Sequence, residues 1–176
     1  MVRLLLVTFL TFSSNNLLPN ELKVGFAKIS ITPDLIDKWE DIDNDAQFNS
    51  NIDLWTDVNG NGQFDAVWMA GFQNNRPAQG IKDELMAVAA VIDDGKTRIG
   101  IISADTIGLM RKFVLSVRKD LPAEWGLDYL MIHATHNHEG PDTQGLWGPS
   151  LFKSGVDDEY MGQLKQNFLN ALNLAI

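Results

Sequence analysis

The sequence predicts an α/β fold in which a mixed β-sheet is flanked by helices. Two apolar runs, Leu85 to Ile92 and Arg98 to Ala104, are separated by Asp-Asp-Gly-Lys, a composition typical of a tight turn between paired strands. An amphipathic helical pattern and a further short apolar run, Asp128 to Thr135, come next. Because a helix between two strands is the repeating unit of α/β proteins, this succession favours that class.

Length and composition narrow the class of function. The chain has 176 residues, of which 45% are hydrophobic and 21% charged, and these values fit one globular domain with a sizeable core. Its net charge of -9 argues against nucleic acid or an anionic membrane surface as the main partner and is compatible with cation binding. The absence of cysteine excludes disulfides and thiolate ligands, so a metal site would use imidazole, carboxylate, carbonyl or water.

Residues 1–20 contain one arginine, an apolar run from Leu4 to Phe12 and then polar residues. This is the outline of a short signal peptide, which predicts a secreted or periplasmic protein, but a buried strand has the same composition. The run is too short to cross a bilayer as a helix, and no other segment is long enough. We therefore expect no integral membrane segment.

The folded part, residues 21–176, is expected to begin with a strand. The segment from Leu22 to Asp34 alternates apolar and polar residues and ends at Thr-Pro-Asp. From Asp34 to Asp65 the residues Asp, Asn and Gly dominate, which predicts a long irregular insertion (residues 34–65) without an internal repeat. Because long loops in compact domains are usually functional or ordered by a ligand, this acidic insertion is a candidate site.

Two helices are predicted. Apolar residues recur at three- and four-residue steps from Ile107 to Leu121, and Pro122 follows the last of them. A second helix would begin at Asp157 or Asp158, either of which has the side chain of a good N-cap. Its apolar face would consist of Met161, Leu164, Phe168 and Leu172.

All three histidines lie directly after the last predicted strand, at positions 133, 136 and 138. Side chains of an extended segment alternate, so His136 and His138 would point into one site, whereas His133 is expected to be packed or to support the site. A catalytic zinc needs about three protein ligands plus water, so the pair predicts part of a metal site. The alternative is two solvated loop histidines. Glu139 alternates away from the pair and is expected to be a solvated acid.

The segment from Asp57 to Asp65 matches the start of a calcium-binding loop. Ligands at positions 1, 3, 5, 7 and 9 would come from Asp57, Asn59, Asn61, the Gln63 carbonyl and Asp65. The usual glutamate at position 12 is replaced by Trp68, and flanking helices are not evident. The alternative is a Gly-Asn turn in an acidic loop. Nearby carboxylates would add oxygens or be solvated: Asp41, Asp43 and Asp45.

Four segments, taken together, resemble one family. "THNHEGP" (Thr135 to Pro141) resembles the zinc-binding "THTHSGP" of neutral, non-lysosomal ceramidases. "KVGFAKISITP", "WMAGF" followed by "RPAQGI", and "GIISADTIGL" resemble further family segments, in the family's order. The resemblance covers roughly Leu22 to Pro149 and implies a zinc-dependent amidohydrolase that acts on a small-molecule or lipid N-acyl amide such as ceramide.

The resemblance also implies roles for individual residues. His136 matches a zinc ligand of the family, and His138 matches an active-site histidine thought to aid proton transfer or substrate binding. Asp105 matches an aspartate at the end of a strand, where we expect a supporting role in the catalytic site. Gly71 and Gly80 match glycines that allow close approach of the backbone.

The sequence departs from the family in two respects. Asn137 and Glu139 replace Thr and Ser, and the acidic insertion is additional; these differences leave open a metal-dependent hydrolase of another amide or ester. The family's remaining zinc ligands lie far downstream, and no histidine follows His138. We therefore expect an incomplete catalytic domain, inactive alone. A non-catalytic, calcium-stabilised binding module on the same scaffold is the other alternative.

Overall fold

The computed structural model describes residues 21–176, so the predicted signal peptide lies outside the described part of the chain. The strands in this part are β1 (Lys23–Ser30), β2 (Lys38–Glu40), β3 (Leu54–Thr56), β4 (Met86–Asp93), β5 (Arg98–Ala104) and β6 (Tyr129–Ala134). The α-helices are α1 (Arg111–Lys119) and α2 (Asp158–Ala175). The main sheet has the order β1-β4-β5-β6, with β6 parallel to β5 and the other neighbours antiparallel. The predicted α/β fold with a mixed sheet is confirmed.

The hairpin of β4 and β5 forms as predicted. Asp93 pairs with Arg98 in the last register position, and the Arg98 guanidinium donates to Asp93 Oδ2 at 2.9 and 2.6 Å. N–H donation from Gly95 lowers the pKa of Asp93, and the bond from Arg98 lowers it further. The turn is therefore closed by charge-assisted hydrogen bonds as well as by the ladder.

Helix α2 packs across β1, β4 and β5 and completes the core. Asp157 is its N-cap, because Asp157 Oδ1 accepts from the backbone N–H groups of Glu159 (2.8 Å) and Tyr160 (3.1 Å). The predicted apolar face is correct: Leu164, Phe168 and Leu172 are fully buried, and Met161 packs beside them. Neither helix of residues 21–176 combines the length and apolarity needed to cross a membrane.

Helix α1 connects β5 to β6 and contacts α2. The apolar run from Asp128 to Thr135 predicts a buried central strand, but β6 is an edge strand of the sheet formed by residues 21–176. Leu130 packs into the core, whereas Tyr129 and Met131, on the opposite face of β6, are 55% and 45% exposed. The apolar run resembles a central strand because alternating positions are apolar on both faces.

The acidic insertion contains an internal repeat, so the expectation of a loop without one is wrong. Residues 37–49 (DKWEDIDNDAQFN) and 53–65 (DLWTDVNGNGQFD) share Asp-x-Trp-x-Asp-x-[Asp/Asn]-x-[Asp/Asn]-x-Gln-Phe-[Asp/Asn], 16 positions apart. The first and second loops, residues 41–49 and 57–65, also share backbone conformation. Positive φ angles occur at loop positions 4 and 6 of both: Asn44 (60°), Ala46 (59°), Gly60 (73°) and Gly62 (76°).

The two units of this repeat pack as equivalent halves. Strands β2 and β3 pair antiparallel, with Trp39 opposite Trp55. Each tryptophan meets the phenylalanine of its own unit edge-on, at 5.9 Å for Phe48 and 5.6 Å for Phe64. The two phenylalanines stack on each other at 3.9 Å between centroids. The insertion is therefore built around an approximate two-fold axis and has a small aromatic core of its own.

Two buried aspartates interlock the units. The carboxylates of Asp37 and Asp53, which are 5% and 4% exposed, each accept two backbone N–H bonds from the opposite loop. The donors are loop positions 2 and 9: Val58 (2.9 Å) and Asp65 (2.8 Å) for Asp37, and Ile42 (3.0 Å) and Asn49 (2.6 Å) for Asp53. Because a buried carboxylate needs such partners, each loop stabilises the other.

Candidate functional site

The histidine segment continues the parallel pairing of β5 and β6 beyond their ends. The Thr135 N–H donates to the Ala104 carbonyl at 2.9 Å, and the Asn137 N–H donates to the Thr106 carbonyl at 3.1 Å. Residues after the carboxyl ends of parallel strands meet at one edge of a sheet, where functional groups commonly lie. The backbone on both sides of His136 is therefore held by the fold.

His136 is held in an uncommon conformation. Its φ is 64°, in the left-handed region that few residues other than glycine adopt. Its Nδ1 lies 2.8 Å from the Ile107 carbonyl oxygen. A carbonyl can only accept, so Nδ1 donates in this bond and Nε2 is the ring nitrogen directed to the site. Backbone strain of this kind is often found at functional sites.

His138 directs its ring toward the same point, as the alternation of side chains predicted. The two Nε2 atoms are 3.3 Å apart, and the ring centroids are 4.8 Å apart in an edge-on arrangement. Gly71 lies against the opposite side of His138, with a φ of +104°. A Cβ on Gly71 would lie 2.5 Å from His138 Cγ, so the expected close approach of the backbone is present at this position. Gly80, in contrast, has nothing within 4 Å of such a Cβ, and the same expectation is wrong there.

Asp105 lies one step behind the histidine pair. Its Oδ1 accepts from the Thr135 hydroxyl at 3.0 Å, and its Oδ2 accepts from the Met86 N–H at 3.0 Å. Both carboxylate oxygens therefore connect the start of the histidine segment to β4. This arrangement fits the expected supporting role, since both oxygens bond to groups other than the imidazoles.

His133 is not packed, so that part of the expectation is wrong. It lies in β6 opposite Ser103 and is exposed on the open face of the sheet. Its position within β6 separates His133 from the His136–His138 pair, and the face on which it lies is uncovered in residues 21–176.

Arg76 is a site residue that the sequence analysis did not identify. Its Nη2 donates to the carbonyl oxygens of His138 (2.7 Å) and Ala70 (2.8 Å), and its Nη1 lies 3.4 Å from Glu139 Oε1. The guanidinium carbon is 4.8 Å from the centroid of the Phe72 ring. The Phe72 ring in turn meets the His138 imidazole edge-on at 5.2 Å. Arg76 thus joins the loop that carries Gly71 to the histidine segment.

A cleft of about 660 Å³ lies beside the histidine segment. Asn137, Glu139 and Asp105 line it together with apolar side chains, but His136 and His138 do not. The Asn137 side chain accepts from the Glu139 N–H at 2.8 Å and so stabilises the turn. The two departures from the family motif therefore face this cleft, and Glu139 is 65% exposed, as expected of a solvated acid.

The donor geometry of the histidine pair fits a zinc ion in part. In a tetrahedral shell with zinc–nitrogen bonds of about 2.0–2.1 Å, two ligand nitrogens are separated by about 3.3 Å. The two Nε2 atoms have this separation, 3.3 Å. Within residues 21–176, however, three or more His, Asp or Glu ligands converge only at Asp41, Asp43 and Asp45. If both histidines bound the ion, they would provide two of about four ligands. If only His136 did, as the family resemblance implies, His138 would remain available for proton transfer.

The predicted calcium loop has the hydrogen bonds of an ion-binding turn. Asp57 accepts three backbone N–H bonds, from residues 60, 61 and 62, at 2.7–3.1 Å. The side-chain amide nitrogens of Asn59 and Asn61 each donate to Asp65 Oδ2 at 2.7 Å, so three of the five predicted ligand residues lie together. Gln63, the fifth, is exposed, and its backbone N–H donates to Asn61 Oδ1 at 2.7 Å.

The first loop repeats this arrangement with more charge. Asp41 accepts from the N–H groups of Asp45 (3.2 Å) and Ala46 (2.8 Å), the equivalents of two of the Asp57 bonds. Oxygens of Asp41, Asp43 and Asp45 lie within 4.8 Å of one another. Desolvation raises the pKa of Asp43, and the charges of Asp45 and Asp53 raise it further. Repulsion of this kind is relieved when a cation binds.

The fold is similar to that of solved ceramidases. One, a ceramidase complexed with C2, matches with a TM-score of 0.60 and 17% identity over 89% of this chain. Another, the neutral ceramidase from Pseudomonas aeruginosa, matches with a TM-score of 0.58 and 18% identity over 89% of this chain. In both cases the match spans 21% of the ceramidase chain. No family model and no curated protein matches the sequence. The structural match confirms the ceramidase-like architecture expected from the four motifs.

Proposed function

We propose that this chain supplies part of the metal site and the proton-transfer group of a zinc-dependent amidohydrolase. The observation that carries the proposal is the convergence of the Nε2 atoms of His136 and His138 at 3.3 Å, with His136 Nδ1 bonded to a backbone carbonyl. Metal-binding histidines usually have such a bond on the other ring nitrogen, because it selects the tautomer and orients the ring. Two solvated loop histidines would need neither feature.

The two imidazoles are suited to different tasks. His136 is bonded through Nδ1, so its Nε2 is free to act as a ligand. His138 has its ring between Gly71 and Phe72, and its Nε2 can hold or move a proton within hydrogen-bonding distance of the site. A bound zinc ion would polarise an amide carbonyl and lower the pKa of its water to about 7. Further ligands would have to come from outside residues 21–176.

The proposed substrate is an N-acyl amide of the ceramide class, cleaved to an amine and a fatty acid. Support comes from the likeness to ceramidase structures, which covers 89% of this chain, and from the motif around His136. Asn137 and Glu139, which differ from the ceramidase motif, line the cleft and not the histidine pair. A different amide or ester substrate is the alternative if contacts in this cleft select it.

The metal proposal is tested by zinc affinity in two histidine variants. Purified protein, including any residues encoded beyond Ile176, is expected to bind one zinc ion, and His136→Ala is expected to lose it. His133→Ala is the matched control, because it removes an exposed imidazole three positions away. Absence of stoichiometric zinc in the wild-type protein would overturn the proposal, as would equal affinities of the two variants.

The substrate proposal is tested with a panel of N-acyl sphingosines, simple fatty amides and fatty esters. We expect the N-acyl sphingosines to have the highest kcat/KM. A clear preference for a simple amide or an ester would reject the ceramide assignment and favour the alternative hydrolase. Hydrolysis that persists unchanged in His138→Ala would contradict the role of this residue in proton transfer.

We propose a second, separate function for the acidic insertion, namely calcium binding that stabilises the fold. The predicted ligands are Asp57, Asn59, Asn61, the Gln63 carbonyl and Asp65 in the second loop. The equivalent residues of the first loop, including Asp41, Asp43 and Asp45, offer the same oxygen chemistry. Support comes from the positive φ angles that the two loops share and from the converging carboxylate oxygens of Asp41, Asp43 and Asp45.

Melting temperatures measured with calcium, magnesium or zinc test the second proposal. We expect calcium to raise the melting temperature of the wild-type protein and to have a smaller effect on Asp57→Ala and Asp41→Ala. Asp34→Ala is the control, since it removes an exposed acid outside both loops. If calcium stabilises the protein and no hydrolysis is found, the non-catalytic binding module becomes the better description. If calcium has no effect, this function is rejected.

A further inference from the structure

We propose that Arg76 is the positioning residue for the His138 imidazole, an inference that rests on the proposed role of the histidine pair. The hairpin from residue 67 to residue 78 brings Arg76 close to the histidine segment. In this hairpin the Met69 N–H donates to the Arg76 carbonyl at 2.9 Å, and the Ala78 N–H donates to the Val67 carbonyl at 2.8 Å. The Arg76 side chain then folds back over the loop that joins the two arms.

One nitrogen of Arg76 joins this loop to His138. Nη2 donates both to the His138 carbonyl at 2.7 Å and to the Ala70 carbonyl at 2.8 Å. The loop is held to the same segment from the other side, because the Ala70 N–H donates to the Gly140 carbonyl at 2.9 Å. Gly71 and Phe72, the two residues that contact the His138 ring, follow Ala70 directly. Arg76 therefore determines how closely these contacts surround the imidazole.

Phe72 provides a second connection between Arg76 and the imidazole. The Phe72 side chain is 60% exposed, so burial does little to fix its ring. The guanidinium packs at 4.8 Å from one side of this ring, and His138 meets it edge-on at 5.2 Å. A cation–π contact orients an otherwise mobile aromatic ring. Loss of the guanidinium is expected to release Phe72 and with it one wall of the His138 site.

The ion pair with Glu139 is the lesser contribution of Arg76. The Arg76 side chain is 12% exposed, but the Glu139 side chain is 65% exposed and their closest atoms are 3.4 Å apart. Ion pairs with one partner in solvent are weak. Arg76 Nε, moreover, is buried and has no partner among the residues that the structure describes. The position of the guanidinium therefore favours its two carbonyl bonds and its ring contact, although its Nε donor is left without a hydrogen bond within residues 21–176.

Arg118 offers a matched control on the other side of the sheet. Its Nε donates to the Leu130 carbonyl at 2.9 Å, and its guanidinium lies 4.8 Å from the Tyr129 ring centroid. Arg118 thus has the same combination of a carbonyl bond and a ring contact, but it contacts neither histidine. If removal of such an arginine lowers stability or activity in a general way, Arg118 variants should show the same decrease.

The experiment compares Arg76→Ala, Arg76→Lys and Arg118→Ala by NMR, by amide hydrolysis and by zinc affinity. In the metal-free wild-type protein we expect a nuclear Overhauser effect between the ring protons of His138 and Phe72. We expect this effect to disappear in Arg76→Ala and to persist in Arg118→Ala. The rest of the spectrum should be that of a folded protein in both variants. In amide hydrolysis, kcat is expected to fall about 10- to 100-fold in Arg76→Ala only, because His138 is the proposed proton-transfer group. Zinc affinity reports whether the metal site on His136 is intact in each variant.

Arg76→Lys separates the two roles of the side chain and keeps the test valid if Arg76→Ala fails to fold. A lysine retains the charge opposite Glu139 but cannot reproduce the planar double contact. We therefore expect Arg76→Lys to restore less than half of the lost kcat on a logarithmic scale. Full restoration, or a persistent ring-to-ring effect in Arg76→Ala, would overturn the proposal. If the wild-type protein binds no zinc, the metal function fails, whereas the NMR comparison still decides the role of Arg76.

Discussion

Replacement of Gly71 by alanine tests how closely the backbone must approach the candidate site. Gly71 has a φ of +104°, and an added Cβ would lie 2.5, 2.6 and 2.8 Å from His138 Cγ, Nδ1 and Cβ. No alanine tolerates such contacts, so the imidazole or the loop must move. Gly80→Ala is the matched control, because a Cβ at that position meets nothing within 4 Å.

The size of the effect follows from these distances. An ordinary contact begins at 3.4 Å, so the imidazole or the Gly71 loop must shift by roughly 0.9 Å. Displacement of a catalytic group by about 1 Å can cost about 100-fold in kcat/KM. The positive φ adds a loss of about 1–3 kcal/mol in the free energy of unfolding. Gly80→Ala is expected to change that free energy by no more than about 0.5 kcal/mol.

Three measurements on the two glycine variants decide the matter. Urea denaturation gives the free energy of unfolding, competition with a chromophoric chelator gives zinc affinity, and amide hydrolysis gives kcat/KM. Gly71→Ala should lose affinity and activity well beyond its loss of stability at a temperature where both variants are folded. Equal zinc affinity and equal activity in the two variants would refute the inferred contact between Gly71 and His138.

Three further predictions concern the acidic insertion and the surface charges. Asp53→Asn should accelerate amide hydrogen exchange in both loops, and not only in the first loop, to which Asp53 bonds. Asp37→Asn should do the same. Accelerated exchange confined to one loop would show that the two units order independently. Desolvation and neighbouring charges raise the pKa of Asp43, so its ionised carboxylate is unfavourable in the fold. Asp43→Asn should therefore increase the melting temperature without calcium and reduce the rise that calcium causes. A lower melting temperature of this variant without calcium would contradict the expected sign. The hydrogen bond from Lys165 lowers the pKa of Asp120. Its contribution to stability is therefore present at neutral pH and is lost as the pH falls below about 3.9. In denaturation at several pH values, the free energy of unfolding of Asp120→Asn should depend less on acid pH than that of the wild-type protein.

Much of the fold could be predicted because local patterns and the final packing agree. The hairpin of β4 and β5 needs only two apolar runs and a turn, and Asp157 caps α2 through its own neighbours. The convergence of His136 and His138 was expected from the alternation of an extended backbone, but the φ of 64° at His136 shows that the backbone is not extended there. These features depend on residues within a few positions of one another, so one sequence is sufficient to predict them.

The internal repeat could also have been predicted from the sequence. Trp39 and Trp55, with the Asp and Gln-Phe positions that follow each, recur 16 residues apart. Substitutions of Asp by Asn and of Gly by Ala hide the correspondence when the loops are compared by identity alone. Ala46 shows this best, since it has a φ of 59° where the second loop has glycine. The interlocking bonds of Asp37 and Asp53, however, could be seen only in the folded insertion.

What the sequence by itself determined is the four strands of the main sheet, the two helices, the helix cap and the presence of a His-x-His pair after a strand. Strands β2 and β3, in the insertion, were not predicted. Only the tertiary structure decided that Arg76 and Gly71 surround His138, that β6 lies at an edge of the described sheet, and that His133 is exposed. The physical reason is distance along the chain. Periodicity and turn chemistry act between near neighbours, whereas the contacts of His138 with the hairpin join residues more than 60 positions apart. Such contacts depend on how complete elements pack, and no local pattern encodes that packing.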